Sequence, residues 1–378
     1  MPETDAGKAP LRSVHTTTVP LILSQLGISL AVTTYQAGKL VLLRSEPGAA
    51  PVLNTHFRAF NKPMGFAWEP GRFALGTSAE VWEFHDMPAV ARKLENAGPA
   101  ITHDAAFLPR TCHITGDVQI HEMCWAAGED RAALAELWFV NTRFSCLATR
   151  SNLYSFVPQW KPPFITEYAP EDRCHLNGLC LRDGKVRYVT ALGQTNTFSG
   201  WRDNKRSGGV VMDTLSDQVV TTGLSMPHSP RWHDEKLWVL ESGNGSLGLI
   251  DLSTGKYNPI CQLPGFTRGL DFAGPYAFIG LSQVRESATF SGIAIAEMKP
   301  QDRCCGVWIV DTRTGQTAGY VKFEDGVQEI FAVQVLRGLR WPEVLSEDSK
   351  RIAESYELPD KALKLVPQNL RQAARPIL

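Results

Sequence analysis

The sequence lacks most of the features that place a protein quickly. No run of 18 apolar residues occurs, so no segment is long enough to span a bilayer as a helix. Neither sign of charge dominates: 38 Lys+Arg face 39 Asp+Glu, for a net charge of −1. That balance argues against nucleic acid as the main partner, because phosphate binding is carried by clustered Lys and Arg. No Cys-x-x-Cys pair is present among the eight cysteines, so neither a zinc knuckle nor a thioredoxin-type motif is supported. Several cysteines, such as Cys124 and Cys180, sit inside apolar runs and read as small buried hydrophobes. Gly-x-Ser-x-Gly is missing, which removes the hydrolase elbow. The Gly-rich stretch from Glu241 to Gly248 joins one strand to another, so it reads as a hairpin and not a phosphate loop. Met1 to Thr18 has no basic-then-apolar layout of a signal peptide, and the expected compartment is the cytoplasm.

What is present is a repeat. The 378 residues suggest two or three domains by length alone, and the 43% hydrophobic content excludes disorder. Between Gly27 and Val335, short aromatic or β-branched runs alternate with Gly, Pro and Asp turns. Typical runs are Phe73–Thr77, Leu137–Asn141, Leu237–Glu241 and Ala277–Leu281. Most lead through a turn into a second run, and two of these continue as Asp-x-x-Thr-Gly, at Asp251–Gly255 and Asp311–Gly315. Six further segments precede the first runs, starting at Met64, His121, Asn177, His228, Arg268 and Glu329. Their starts lie 57, 56, 51, 40 and 61 residues apart, a spacing that suits four-stranded propeller blades with insertions.

The last segment lacks following strands, and the N-terminal pair at Leu30–Thr34 and Lys39–Leu43 lacks a preceding one. Joining them closes the ring. The expected fold is therefore all-β: one six-bladed β-propeller closed by N- and C-terminal strands. A pair of β-sandwiches is the alternative, and it leaves the six matched segments unexplained. The expected organisation is an N-terminal extension over 1–19, the propeller over 20–340 and a tail over 341–378 packing on it as a short helix or strap.

The starts of the inner strands converge on one mouth of a propeller channel. His121 and His228 are two such starts, and His175 lies two residues before Asn177 on the same face. Three imidazoles from adjacent blades point to a first-row divalent metal (Zn, Fe, Mn or Cu) with an open position. Arg268 can clamp an anionic substrate, and Glu329 can serve as general base or ligand. The two can equally neutralise each other across the channel. Two long insertions, 193–209 and 282–305, are expected over the same mouth. They offer Trp201, Arg202, Arg206, Gln283, Arg285 and Glu286 as substrate contacts, with Asn177 and Glu241 from the strands; packing between the loops, or an oligomer contact, is the alternative.

The segments His175–Gly178, Ser225–Trp232, Leu240–Gly243, Gly265–Gly269, Gly280–Ser287 and Val327–Gln334 occur in an order that resembles a bacterial family of propeller-like domains of unknown function. Some members of that family resemble fusions with TPR repeats. The resemblance covers about residues 13–340 and implies the fold but no activity. As architecture alone, the three-histidine set is also similar to that of the zinc-dependent six-bladed amidating lyases, which are secreted and disulfide-bonded. The expected function is a metal-dependent enzyme (a lyase, hydrolase or oxygenase) acting on a small polar or anionic substrate at the axis. The alternative is a non-catalytic propeller that binds a protein, peptide or carbohydrate on its loop face. Neither nucleic acid nor membrane is expected as a partner.

Overall fold

The computed structural model describes residues 11–48, 50–94, 102–127, 135–284 and 290–371. Its strands form six antiparallel sheets arranged as the blades of a β-propeller. The ring closes as the repeat predicts. The first blade takes its inner strand, Val333–Arg337, from the C-terminal side and its other three, Ile28–Thr34, Lys39–Glu46 and Val52–Ala59, from the N-terminal side. Ile28 pairs with Arg337 and Val32 with Val333 across that closure.

The remaining blades follow in chain order. Their inner strands are Phe66–Glu69, Ile120–Ala126, Leu176–Arg182, Pro227–His233 and Phe266–Ala273. Two extra strands decorate the rim. Ser13–His15 pairs on the outer edge of the sixth blade, and Pro342–Val344 runs parallel to the outer strand of the second. The Asp-x-x-Thr-Gly segments are the expected tight turns. In both, the Asp carboxylate accepts a backbone N–H two residues on, and Gly255 and Gly315 sit at φ +69° and +73°.

Strand periodicity builds the core. Leu30 and Val32 pack toward the sixth blade, while Ala31, Leu40 and Leu42 pack toward the second. Each gap between neighbouring blades holds its own apolar cluster in this way. A separate small core, built on Trp201, Phe266, Ile293 and Ile295, lies beneath the two long insertions. Four of the eight cysteines, Cys146, Cys174, Cys180 and Cys305, are buried. No helix among the described residues is long and apolar enough to cross a membrane.

One boundary differs from expectation. The last inner strand starts at Val333, not at Glu329. The backbone before it mixes side-chain and main-chain partners: Ile330 N–H donates to Ser282 Oγ and Ala332 N–H to Thr33 Oγ1, while Phe331 N–H donates to Thr33 O. Hydroxyl and amide groups near the axis tie blade to blade in the same manner. Thr33 Oγ1 donates to Met64 O, Thr142 Oγ1 to Leu176 O, Asn177 Nδ2 to Pro227 O and Ser282 Oγ to Ile330 O.

The strap after the ring is fixed by charge. Glu343 is 7% exposed and accepts from His56 Nε2 at 2.9 Å and Arg58 Nη2 at 2.7 Å. Arg44 approaches it to 3.7 Å. Burial pushes the Glu343 carboxyl up, but the His56 hydrogen bond and the His56 and Arg58 charges outweigh this and hold it down at about 2.

Candidate functional site

The inner strands of the third to sixth blades break register where they meet the axis. The irregularities fall at His121–Glu122, at Asn177, at Ser229–Pro230 and at Arg268–Gly269. A bulge of this kind re-aims side chains, so residues that regular alternation would send into the blades can face the channel. Gly269 makes one bulge possible. Its φ is +81°, and a Cβ there would lie 2.6 Å from Val333 N.

Backbone strain gathers at the same mouth. Lys62, Gln119, Asp172, His175, Ser199 and Met226 all have positive φ, and all line one cavity. The other non-glycine residues with positive φ include Asp183, Asp217, Asp234 and Glu235, which sit at hairpin turns. The cavity has a volume of about 500 Å³ and opens at the loop face. His121, His175, His228, Arg268 and Glu329 all line it.

The histidines are held by a repeated device. His121 Nδ1 lies 2.9 Å from Gln119 O and 2.7 Å from Thr142 Oγ1. His228 Nδ1 lies 2.9 Å from Met226 O and 3.0 Å from Ser242 Oγ. In each blade the partners are the carbonyl two residues back and a hydroxyl just after the second strand. A carbonyl can only accept, so Nδ1 carries the proton and Nε2 keeps its lone pair. Burial holds both imidazoles well below their ordinary range, and the Arg268 charge pushes the same way. Both are neutral at pH 7.

His175 is anchored differently. Its Nδ1 donates to Asp172 Oδ2 at 2.9 Å, and the same oxygen accepts Trp201 Nε1 at 3.0 Å. Its ring lies 4.8 Å from His121, edge to face, and 4.6 Å from Trp201. A carboxylate that fixes Nδ1–H leaves Nε2 as a basic atom, the arrangement of a general base.

Arg268 stands apart. It makes no ion pair or hydrogen bond among the described residues. Its guanidinium lies over the Phe331 ring, 3.6 Å from the centroid. Burial pulls it down to about 9, partly offset by the charge of Glu122, so it stays a cation at neutral pH. Glu122 is itself committed to Arg231 and to Leu179 N. Glu329 likewise has no ion pair or hydrogen bond among the described residues, and burial raises its carboxyl to about 6. The two charges therefore do not neutralise each other by contact.

The remaining sequence candidates divide. Trp201 is 2% exposed and belongs to the small core, but its ring also walls the cavity. Arg202 stacks on Trp201 at 4.5 Å and lines the rim. Arg206 does not line the cavity; it ties one insertion to the other through Glu297 at 2.5 Å and Gly292 O at 3.0 Å. Asn177 is 3% exposed and is used by Thr190 and Pro227 O. Glu241 accepts from Ser225 N, and Gln283 donates to Arg303 O. Arg285 and Glu286 lie outside the described residues. No group of three or more His, Cys, Asp or Glu among the described residues is arranged to hold a metal ion.

Sequence reading missed Asp172 and Phe331. Asp172 lies in an irregular segment three residues before His175, where no repeat signal reaches. Phe331 falls in the segment starting at Glu329, but it precedes the inner strand and turns its ring toward Arg268 and His121.

The family model for a domain of unknown function, DUF4915, matches residues 17–345. The chain belongs to that family. No curated protein matches it. Among solved structures it is similar to a chain in the crystal structure of a nidogen/laminin complex, with 7% identity and a TM-score of 0.51, covering 82% of this chain and 99% of that one. It is equally similar to a protein of unknown function from Bacteroides caccae, with 10% identity and a TM-score of 0.50, covering 82% and 99%. At such identity the likeness concerns the fold alone.

Proposed function

We propose that this member of the DUF4915 family binds a small carboxylate-bearing molecule in the cavity on the propeller axis. The observation that carries the reading is Arg268, a half-buried cation with no anionic partner in contact, facing about 500 Å³ of open space. A buried charge without a partner is costly, and a ligand carboxylate that makes two parallel N–H···O bonds to the guanidinium removes that cost. Phe331 holds the guanidinium from one side. The volume lies in the range of small-molecule sites and is too small for a folded partner.

His175 supplies what a reaction on such a ligand needs. It lines the same cavity with Nδ1 held by Asp172, which puts a proton acceptor beside the bound carboxylate for chemistry elsewhere on the ligand. Thermal denaturation of wild type and Arg268→Met against a panel of small carboxylates and their neutral amides tests the reading. The expected result is stabilisation by carboxylates alone, absent in the variant. Stoichiometric first-row metal in purified protein, together with indifference to carboxylates, overturns it.

A further inference from the structure

We infer that the ligand is a hydroxylated carboxylate of the sugar-acid class, its carboxylate on Arg268 and its hydroxyls on the imidazole nitrogens and Glu329. The inference rests on the reading of Arg268 above and deepens it.

It follows from an inventory of donors and acceptors. His121, His175 and His228 each place Nδ1–H on an acceptor of the protein: Gln119 O, the Asp172 carboxylate and Met226 O. Nε2 of His121 and of His228 is thus an acceptor, Nε2 of His175 is one in the neutral ring, and none of the three has a partner among the described residues. Glu329 adds a carboxylate with no partner among them. The cavity therefore offers four acceptors around the Arg268 guanidinium, with Lys62, Arg143 and Arg202 as further cations in its lining.

That set of groups selects the ligand. A hydrocarbon acid satisfies Arg268 and strips water from four acceptors without replacing it, which is costly for each group left bare. A neutral sugar satisfies the acceptors and leaves the guanidinium buried beside nothing. An inorganic anion reaches Arg268 but carries too few O–H donors for the rest. A molecule with one carboxylate and several hydroxyls fits every group, because each hydroxyl rotates its proton toward the available lone pair.

Isothermal titration of the full-length wild-type protein at pH 7 separates the parts. The ligands are D-glucuronate, D-galacturonate, D-gluconate, glucose, benzoate and cyclohexanecarboxylate. At least one sugar acid is expected to bind more than about tenfold tighter than glucose and than either hydrocarbon acid. Parity between a hydrocarbon acid and the sugar acids overturns this inference and leaves the Arg268 reading standing. Parity between glucose and the sugar acids overturns both. No heat from any sugar acid at millimolar concentration overturns this inference, whichever other carboxylate binds. His228→Leu is expected to reduce the preference for sugar acid over cyclohexanecarboxylate, by weakening the sugar acid and not the hydrocarbon acid.

Discussion

The guanidinium carbon of Arg268 lies over the ring of Phe331, 3.6 Å from its centroid, and this contact holds the cation at the cavity on the axis. The two residues come from the sixth inner strand and from the segment that closes the first blade. Arg268 is thus held by ring closure as well as by its own strand. A cation–π contact restrains the guanidinium without neutralising it, so the charge stays available to a ligand.

The consequence for stability can be measured. Arg268→Met removes a partly desolvated charge and keeps the volume over Phe331. The free variant is expected to be at least as stable as wild type, by up to about 2 kcal/mol. Urea denaturation checks this, and a marked loss of stability would mean that the charge has a structural partner.

Glu329 gives a pH signature. Its carboxyl is raised to about 6 by burial, so the folded chain holds that proton more tightly than the unfolded chain does. The associated stability is present below about 4.5 and lost as pH rises through about 6. Glu329→Gln should therefore stabilise the free protein at pH 8, by up to about 2 kcal/mol, and give no gain at pH 4. Anion affinity should also rise as pH falls through 6, because Glu329 loses the charge that repels a carboxylate. The other charged or titratable groups around the cavity are Lys62, Arg143, Arg202 and Arg268, Glu171 and Asp172, Tyr35, and the three histidines. Tm across pH for both proteins, with titrations at pH 5.5 and 7.5, decides both points.

The imidazoles make a spectroscopic prediction. His121 and His228 are expected as neutral, Nδ1-protonated tautomers at pH 7.5 and to remain neutral at pH 5.5. Nitrogen-15 spectra of the rings read this directly. Titration of either ring with a midpoint near the ordinary imidazole value contradicts it.

The strap depends on Glu343. Glu343→Ala leaves Arg44, already pulled down to about 10 by burial, without its counter-charge. The expected cost is about 3–5 kcal/mol, read by urea denaturation. The Glu343 carboxyl sits at about 2 when folded, so its stabilising share is present above about 4.5 and fades as pH falls toward 2. The variant and wild type should therefore converge in stability at strongly acid pH.

The blade count and the ring closure were legible because a repeat writes itself into spacing. Each second strand is a short β-branched or aromatic run, and each blade presents both faces to apolar neighbours. The convergence of His121, His175, His228, Arg268 and Glu329 was legible for the same reason: equivalent positions of a ring meet at its axis. The details that decide the chemistry were not. The bulges at His121–Glu122 and Arg268–Gly269 depend on pairing partners about twenty and a dozen residues away. Asp172 acts through an irregular segment, and Nδ1 commitment to Gln119 O and Met226 O is a backbone matter that side-chain identity does not reveal. Asn177 looked functional because it is polar and axial, yet its amide is spent on Thr190 and Pro227 O.

The most direct measurement is the affinity of the best-binding carboxylate for wild type and for Arg268→Met, by isothermal titration at pH 7. Removing the charged partner of a desolvated carboxylate is expected to weaken binding by about a hundredfold, near 2.7 kcal/mol. Equal affinity in the two proteins would contradict anion capture by Arg268 on the propeller axis.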